Sequence, residues 1–369
     1  MRFAGKIPKG KEMIKITKIE IKEEDVYDIT VPETSSFFAN GVLVHNCSEI
    51  ELMTDADRTA VCCLSSLNLE HWDEYKDNYQ FFKDVMEMLD NVIQKFIDTA
   101  PPQISRAIKS AVEERSVGLG SMGFHSYLQK RMVAFEGVVA KSINNQIFKR
   151  IDEMVERANL ELGAERGSPL WCEGTGRRFA HTSAIAPTAS NAVICGNVSP
   201  SIEPWRANAY RQDTMSGTFI QKNKHLDALL KQKEAEGVCS YDDAWLAVVQ
   251  DEGSVQSLDF LCENEKAVFK TASEIDQLWA VEHVTDRQKY IDQGQSFNIF
   301  IRPDISVAKL HAIHFSAWKK GAKAMYYVRT EKLANTDKVG KRIARVRIED
   351  EIEQLRSIAE GVDCLACEG

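Results

Sequence analysis

The first 46 residues place the tightest limit on what this chain can fold into. Ile14-Lys15-Ile16-Thr17-Lys18-Ile19-Glu20-Ile21 alternates β-branched and polar residues, the period of a strand with one buried face. Val26 to Val31 reads as a second strand. Pro32 to Ser36 reads as a turn, and Phe37 to Val44 as a third strand with Asn40-Gly41 as a tight turn. A β segment this short cannot readily enclose a core of its own. It needs complementary strands from elsewhere, as half of a divided fold would.

The segment runs out at Val42-Leu43-Val44-His45-Asn46-Cys47-Ser48-Glu49-Ile50. An asparagine side-chain amide can attack its own backbone carbonyl, so Asn46 can cyclise and cut the chain before Cys47. His45 can protonate the leaving group or polarise the carbonyl. Cys47 is a nucleophile placed to receive an acyl group. On the far side, Cys47 and Glu49 are two residues apart and point the same way on an extended chain. A thiol and a carboxylate on one face form a redox and acid–base pair. The plain alternatives are an arbitrary His-Asn-Cys tripeptide and a buried cysteine beside a surface glutamate.

From Asp73 the texture becomes helical. Phe81, Phe82, Val85, Met86, Leu89, Val92, Ile93 and Phe96 recur at three- and four-residue spacing, and Pro101-Pro102 ends the run. Further helices are expected over 104–115, up to Leu128, over 141–162 with Gly163 as C-cap, from a capping-box-like start at Ser240-Tyr241-Asp242-Asp243, and over 305–320. Residues 168–220 read as loop-rich with short strands, and Ala324 to Arg329 as a strand. Residues 343–359 read as helical, and the last residues as a mobile tail. Helices alternating with short buried strands argue for an α/β fold. Gly118-Leu119-Gly120-Ser121-Met122-Gly123 has the glycine spacing of a dinucleotide-binding turn. No buried parallel strand is read before it at Glu113-Glu114-Arg115, so that assignment is rejected.

A length of 369 residues allows two or three domains. The net charge of −9 argues against a general nucleic-acid binder. No apolar run is long enough for a transmembrane helix, and the basic N-terminus lacks the apolar core of a signal peptide. Nine scattered cysteines do not form a secreted disulfide framework, which points to a reducing, cytoplasmic setting.

Two family resemblances rest on these residues. Val26-Tyr27-Asp28-Ile29-Thr30-Val31 with Phe37 to Cys47 resembles the C-terminal splicing region of inteins. It implies that residues 1–46 are a small all-β, Hint-type split-intein fragment, in which Asn46 cyclises, His45 assists, Cys47 accepts the branched ester and Asp28 tunes the cysteines. The intein's first-residue nucleophile and threonine-histidine motif are not in this sequence, so splicing would need a separate N-terminal chain. Cys47-Ser48-Glu49-Ile50, with much of the chain beyond it, resembles the C-terminal half of the large subunit of class I ribonucleotide reductase. That resemblance implies residues 47–340 as the second half of a ten-stranded α/β barrel and residues 341–369 as a charged tail with a redox CxxC. The host cytosol would be bacterial or phage-infected.

Residue by residue, the reductase resemblance implies that Cys47 becomes a thiyl radical and Glu49 the general base at the ribose 3′-hydroxyl. Ala60-Val61-Cys62-Cys63-Leu64-Ser65-Ser66-Leu67-Asn68 resembles the strand with one of two reducing cysteines, placing Cys62 there. Vicinal cysteines in a strand face opposite ways, so only one of Cys62 and Cys63 meets substrate. Pro187-Thr188-Ala189-Ser190-Asn191 suits a helix N-terminus, whose N–H groups bind phosphate, and resembles the segment that holds the substrate diphosphate; Ala189 stands where many members carry an acid. Tyr326-Tyr327, core packing in most strands, resembles the pair that relays the radical. Cys364-Leu365-Ala366-Cys367 is a redox pair or half of a zinc site, and resembles the family's C-terminal shuttle. No metal or cofactor is expected on this chain itself. The radical would come from a metal-containing small subunit, and nucleotide effectors would bind mainly to the missing half. The implied partners are that N-terminal chain, the small subunit, thioredoxin or glutaredoxin, and a ribonucleoside diphosphate. The alternatives are a non-catalytic reductase fragment or a thiol-disulfide carrier using Cys364 and Cys367.

Overall fold

The computed structural model describes residues 36–39, 42–45, 49–214 and 217–330, with 36–39, 42–45, 211–214 and 217–220 as backbone only. The chain divides into two units, residues 1–46 and 47–369. In the first, β1 (Ser36–Ala39) pairs antiparallel with β2 (Val42–His45), with Ala39 opposite Val42. The expected third strand is thus a hairpin around 40–41. The expected strands over 14–21 and 26–31 lie outside the described residues.

The second unit is built on parallel pairing. β3 (Leu64–Asn68) lies beside β4 (Gly118–Met122), with Leu64 opposite Gly118. Leu119 bridges in parallel to Ser183, and Ile185 to Gln295. The chain continues from 295 into β7 (Ile299–Ile301), which pairs in parallel with β8 (Val328–Thr330). Tyr326 N–H donates to the Phe297 carbonyl and Ile299 N–H to that of Tyr327, so the last pairing begins before β8. Segments near 64, 118, 183, 295 and 326 therefore follow one another side by side in chain order. The antiparallel hairpin β5 (Ala209–Thr214) and β6 (Gly217–Lys222) stands apart from them.

Helices fill the connections, as parallel strands require. They are α1 (Trp72–Tyr75), α2 (Tyr79–Thr99), α3 (Ser105–Glu113), α4 (Phe124–Lys130), α5 (Val138–Arg166), α6 (Ala189–Ile194), α7 (Lys224–Ala235), α8 (Tyr241–Gln250), α9 (Glu263–Val268), α10 (Gln277–Gln288) and α11 (Val307–Lys319). The Asn78 side chain caps α2 by accepting from Phe81 N–H, and α2 buries Phe82, Met86, Leu89 and Ile93. Val92, expected on that face, is exposed: it falls off the buried stripe. α5 begins before and ends after the span that the periodicity suggested. Gly163 lies within it and is no cap: a Cβ there would collide with the Gly176 carbonyl oxygen, and Gly167 follows the helix at φ +81°.

The main core lies between the sheet and α2, α5 and α10, and includes Leu67, Leu119, Ile147, Val155, Val281 and Ile299. A second cluster, with Leu226, Leu230, Trp245, Val248, Val255 and Phe269, forms around α7, α8 and α9; the sequence pattern does not announce it. The glycine run is strand, not phosphate turn. Gly118 to Met122 are all buried in β4, and a Cβ on Gly118 or Gly120 would run into Leu64 or Ala184. Gly123, at φ +79°, turns the chain into α4. Among the described residues no helix is long and apolar enough to cross a membrane.

Candidate active site

The extended segment leading into β7 organises the site. Its residues alternate between faces, so Ser296 and Asn298 share one. Ser296 hydroxyl donates to Glu49 Oε2 at 2.5 Å, and Gly294 N–H donates to the Glu49 carbonyl at 2.9 Å. Glu49 is only 5% exposed; one segment holds its backbone through Gly294 and its carboxylate through Ser296. Asn298 works in two directions. Its N–H and Nδ2 donate to Glu203 Oε1 at 3.1 and 2.5 Å, and its Oδ1 accepts from Tyr327 N–H at 3.1 Å.

Burial pushes the Glu203 carboxyl up to about 7, against the opposing pull of the Asn298 donors and the Arg206 and Arg329 guanidiniums. The group therefore changes charge near neutrality. Tyr326 and Tyr327 hold their ring centroids 3.9 Å apart at 43°. The Tyr327 hydroxyl is buried and bonds to no described residue, while Arg329 lies 4.8 Å from its ring centroid. Phenols this close can exchange an electron and a proton over a short step.

Thr188, at φ +46°, precedes α6, and Ala192 N–H donates to its carbonyl to close the first turn. The N–H groups of Ala189, Ser190 and Asn191 head that turn, where an α-helix leaves donors unused. Thr188 Oγ1 accepts from Ser201 N–H at 2.8 Å and ties the turn to the loop carrying Glu203. Pro187, Ala189, Glu203, Arg206, Asn298 and Arg329 line one cavity of about 360 Å³. The structure thus gathers the expected phosphate turn and the residues beside the tyrosine pair around a common space.

Cys62 is exposed and Cys63 is buried in the core, with Gly118 N–H donating to the Cys63 carbonyl. The pair lies just ahead of β3 rather than within it, and its two members differ in exposure. His45 ends β2, and only its backbone is described. Asp28, Asn46, Cys47, Cys364 and Cys367 lie outside the described residues. Sequence reasoning missed Ser296, Asn298, Glu203, Arg206 and Arg329. A signal existed for three of them: Gln295, Ser296 and Asn298 are polar residues in a stretch bounded by Ile291 and Ile299, and Glu203 stands in the loop that comes after the phosphate turn.

The family profile described as "Ribonucleotide reductase, barrel domain" matches residues 44–174 and 171–328. The large subunit of ribonucleoside-diphosphate reductase from Invertebrate iridescent virus 6 is 52% identical over 330 residues, 89% of this chain and 34% of that protein. Its counterpart from Invertebrate iridescent virus 3 is 51% identical over 293 residues, 79% of this chain and 46% of that protein. Among solved structures, the Actinobacillus ureae class Id ribonucleotide reductase alpha subunit superposes with a TM-score of 0.72 at 39% identity, covering 78% of this chain and 52% of that chain. The chain spans between a third and a half of the length of these two viral relatives. With the family profile laid over both halves of the parallel sheet, this chain belongs to the ribonucleotide reductase family and carries the barrel domain of the large subunit.

Proposed function

We propose that this chain is the C-terminal part of the large subunit of a class I ribonucleoside-diphosphate reductase, made as a precursor whose residues 1–46 are a split-intein fragment. The observation that carries the reductase reading is the segment 294–298, which holds Glu49 through Ser296 and both Glu203 and Tyr327 through Asn298. Glu49 then serves as base at the ribose 3′-hydroxyl, next in line to Cys47, whose thiyl radical takes the 3′-hydrogen and becomes the thiol. Cys62, with a second cysteine from the N-terminal half, supplies two electrons as a dithiol and becomes a disulfide. Cys364 and Cys367 reduce that disulfide and pass the oxidation to thioredoxin or glutaredoxin. The N–H groups of the Pro187–Asn191 turn hold the substrate diphosphate. Tyr326 and Tyr327 connect the site to a metal-containing small subunit. The complete barrel has ten strands, this chain supplying the second half.

The splicing reading rests on the His45-Asn46-Cys47 junction and the Asp28 strand before it. It is tested by mixing this precursor with an N-terminal chain that carries the other intein half, and weighing the product. The expected product has lost residues 1–46 and begins its C-terminal part at Cys47. Supplied with the small subunit and a thiol donor, it makes deoxyribonucleotides; ligated product carrying Cys47→Ser does not. Working enzyme that retains residues 1–46 would sink the splicing reading. Turnover by the ligated serine variant would sink the radical assignment.

A further inference from the structure

A single carboxylate oxygen fixes the amide that holds the tyrosine pair. Glu203 Oε1 accepts from both the backbone N–H and the Nδ2 of Asn298, at 3.1 and 2.5 Å. Two donors of one residue on one acceptor close a small ring, which leaves the Asn298 side chain a single orientation. In that orientation Oδ1 accepts from Tyr327 N–H at 3.1 Å. The peptides on either side join the same strand pair, Tyr326 N–H donating to the Phe297 carbonyl and Ile299 N–H to that of Tyr327, each at 2.8 Å. Glu203, Asn298 and Tyr327 are all buried, so water does not compete for these bonds. The Tyr326 and Tyr327 ring centroids are 3.9 Å apart, a spacing that a small shift of the Tyr327 backbone would change.

We propose that Glu203 is a positioning residue for radical transfer: acting through Asn298, its charge sets how tightly the Tyr327 backbone, and with it the ring beside Tyr326, is held. This role rests on the reading of Tyr326 and Tyr327 as a relay. A carboxamide whose nitrogen donates to a carboxylate is polarised, and its oxygen becomes a stronger acceptor. Donation to a neutral carboxyl group does this less. The relay needs the rings close when one phenol gives up an electron and a proton and the neighbouring phenoxyl takes up both. The ionised acid is therefore the competent form. Burial raises the Glu203 carboxyl to about 7, so it gains its charge as pH rises through neutrality. The charged or titratable side chains that share its cavity are Arg206 from its own loop, Tyr210 from β5 and Arg329 from β8. The two guanidiniums favour the charged acid, and burial moves the Tyr210 phenol further from neutrality.

The test uses the full-length ligated large subunit, as parent, Glu203→Gln, Asn298→Ala and the double variant. Hydrogen exchange at the Tyr327 amide, and CDP reduction with the small subunit, are followed from one pH unit below that value to one above it. After correction for the intrinsic rise of exchange with pH, protection of the Tyr327 amide in the parent should grow by roughly threefold to tenfold, the gain when a hydrogen-bond partner becomes charged. The parent kcat should rise with it while KM for CDP stays level. In Glu203→Gln both readings should keep their low-pH values throughout. In Asn298→Ala the pH response should also vanish, and adding Glu203→Gln should then cost nothing further. Calorimetric affinity for CDP should match the parent in every variant, which shows them folded. Tyr327 protection that ignores pH in the parent, or that responds equally in Glu203→Gln, overturns the positioning role and leaves the relay standing. A Glu203→Gln loss that falls on KM rather than kcat overturns it too, because the acid would then serve substrate. CDP reduction that survives both Tyr326→Phe and Tyr327→Phe overturns the relay, and the positioning role with it.

Discussion

Asp90 and Glu203 are both carboxylates almost removed from water, 1% and 6% exposed, and the protein treats them in opposite ways. Burial would raise the Asp90 carboxyl, but the hydrogen bonds from Arg166, Arg115 and Arg178 outweigh it and hold the group below its ordinary range. Its charge is locked, and it joins α2 to the approach to β4, the end of α5 and the loop at Arg178. Glu203 takes only amide hydrogen bonds from Asn298, burial wins, and the group titrates near neutrality. A buried charge with several cationic partners makes a joint; one with amide donors alone stays responsive. The first sits in the helical layer and the second at the candidate active site, which is where a charge that can change is useful.

Removing a lock should cost most. Asp90→Ala leaves three guanidiniums without their shared acceptor, and we expect a loss of about 3–5 kcal/mol in urea unfolding, the usual cost of breaking a buried pair. A loss below ~1 kcal/mol would mean that water already serves those arginines. Asn298→Ala should cost roughly 1.5–3 kcal/mol, because it leaves Glu203 with the backbone donor alone. It should also displace Tyr327, read as altered fluorescence of tyrosine and reduced turnover.

The two acids should also leave opposite marks on stability as a function of pH. The Asp90 contribution is present above its unfolded value of 3.8 and is lost as pH falls below that value toward the lower folded one. The Glu203 contribution is full below its unfolded value of 4.5 and is lost as pH rises to about 7. Unfolding midpoints of Asp90→Asn should therefore lose the acid limb. Those of Glu203→Gln should lose the decline between pH 4.5 and 7 and otherwise move least of all. Identical pH profiles for both variants would erase the distinction between the two acids.

Much of the architecture could be read in advance where local pattern and burial agree. The apolar spacing from Phe82 to Ile93 is a helix because one face of α2 meets the core. Cys62 is exposed and Cys63 buried, the one-in, one-out difference expected of neighbours, although both precede β3. Local pattern failed where a distant backbone intervened. Gly163 looks like a helix end in one dimension and is a point of contact with Gly176 in three. The satellite cluster under α7 and α8 was invisible because its members come from separate short helices and the loops between them.

The amino-acid order alone displayed the parts: a first segment with the alternation of strands and an Asn46-Cys47 pair, alternating helices and strands after it, a tyrosine pair, and a polar turn after Pro187. Those are properties of neighbours in the chain, set by spacing and side-chain chemistry. Only the tertiary structure decided that hydrogen bonds from Ser296 and Asn298, on one short segment, reach Glu49, Glu203 and Tyr327. Parallel pairing sets segments far apart in the chain side by side, as the Ser296–Glu49 bond shows with its separation of 247. Burial then assigns each carboxylate its charge, and burial belongs to the whole fold rather than to any stretch of sequence.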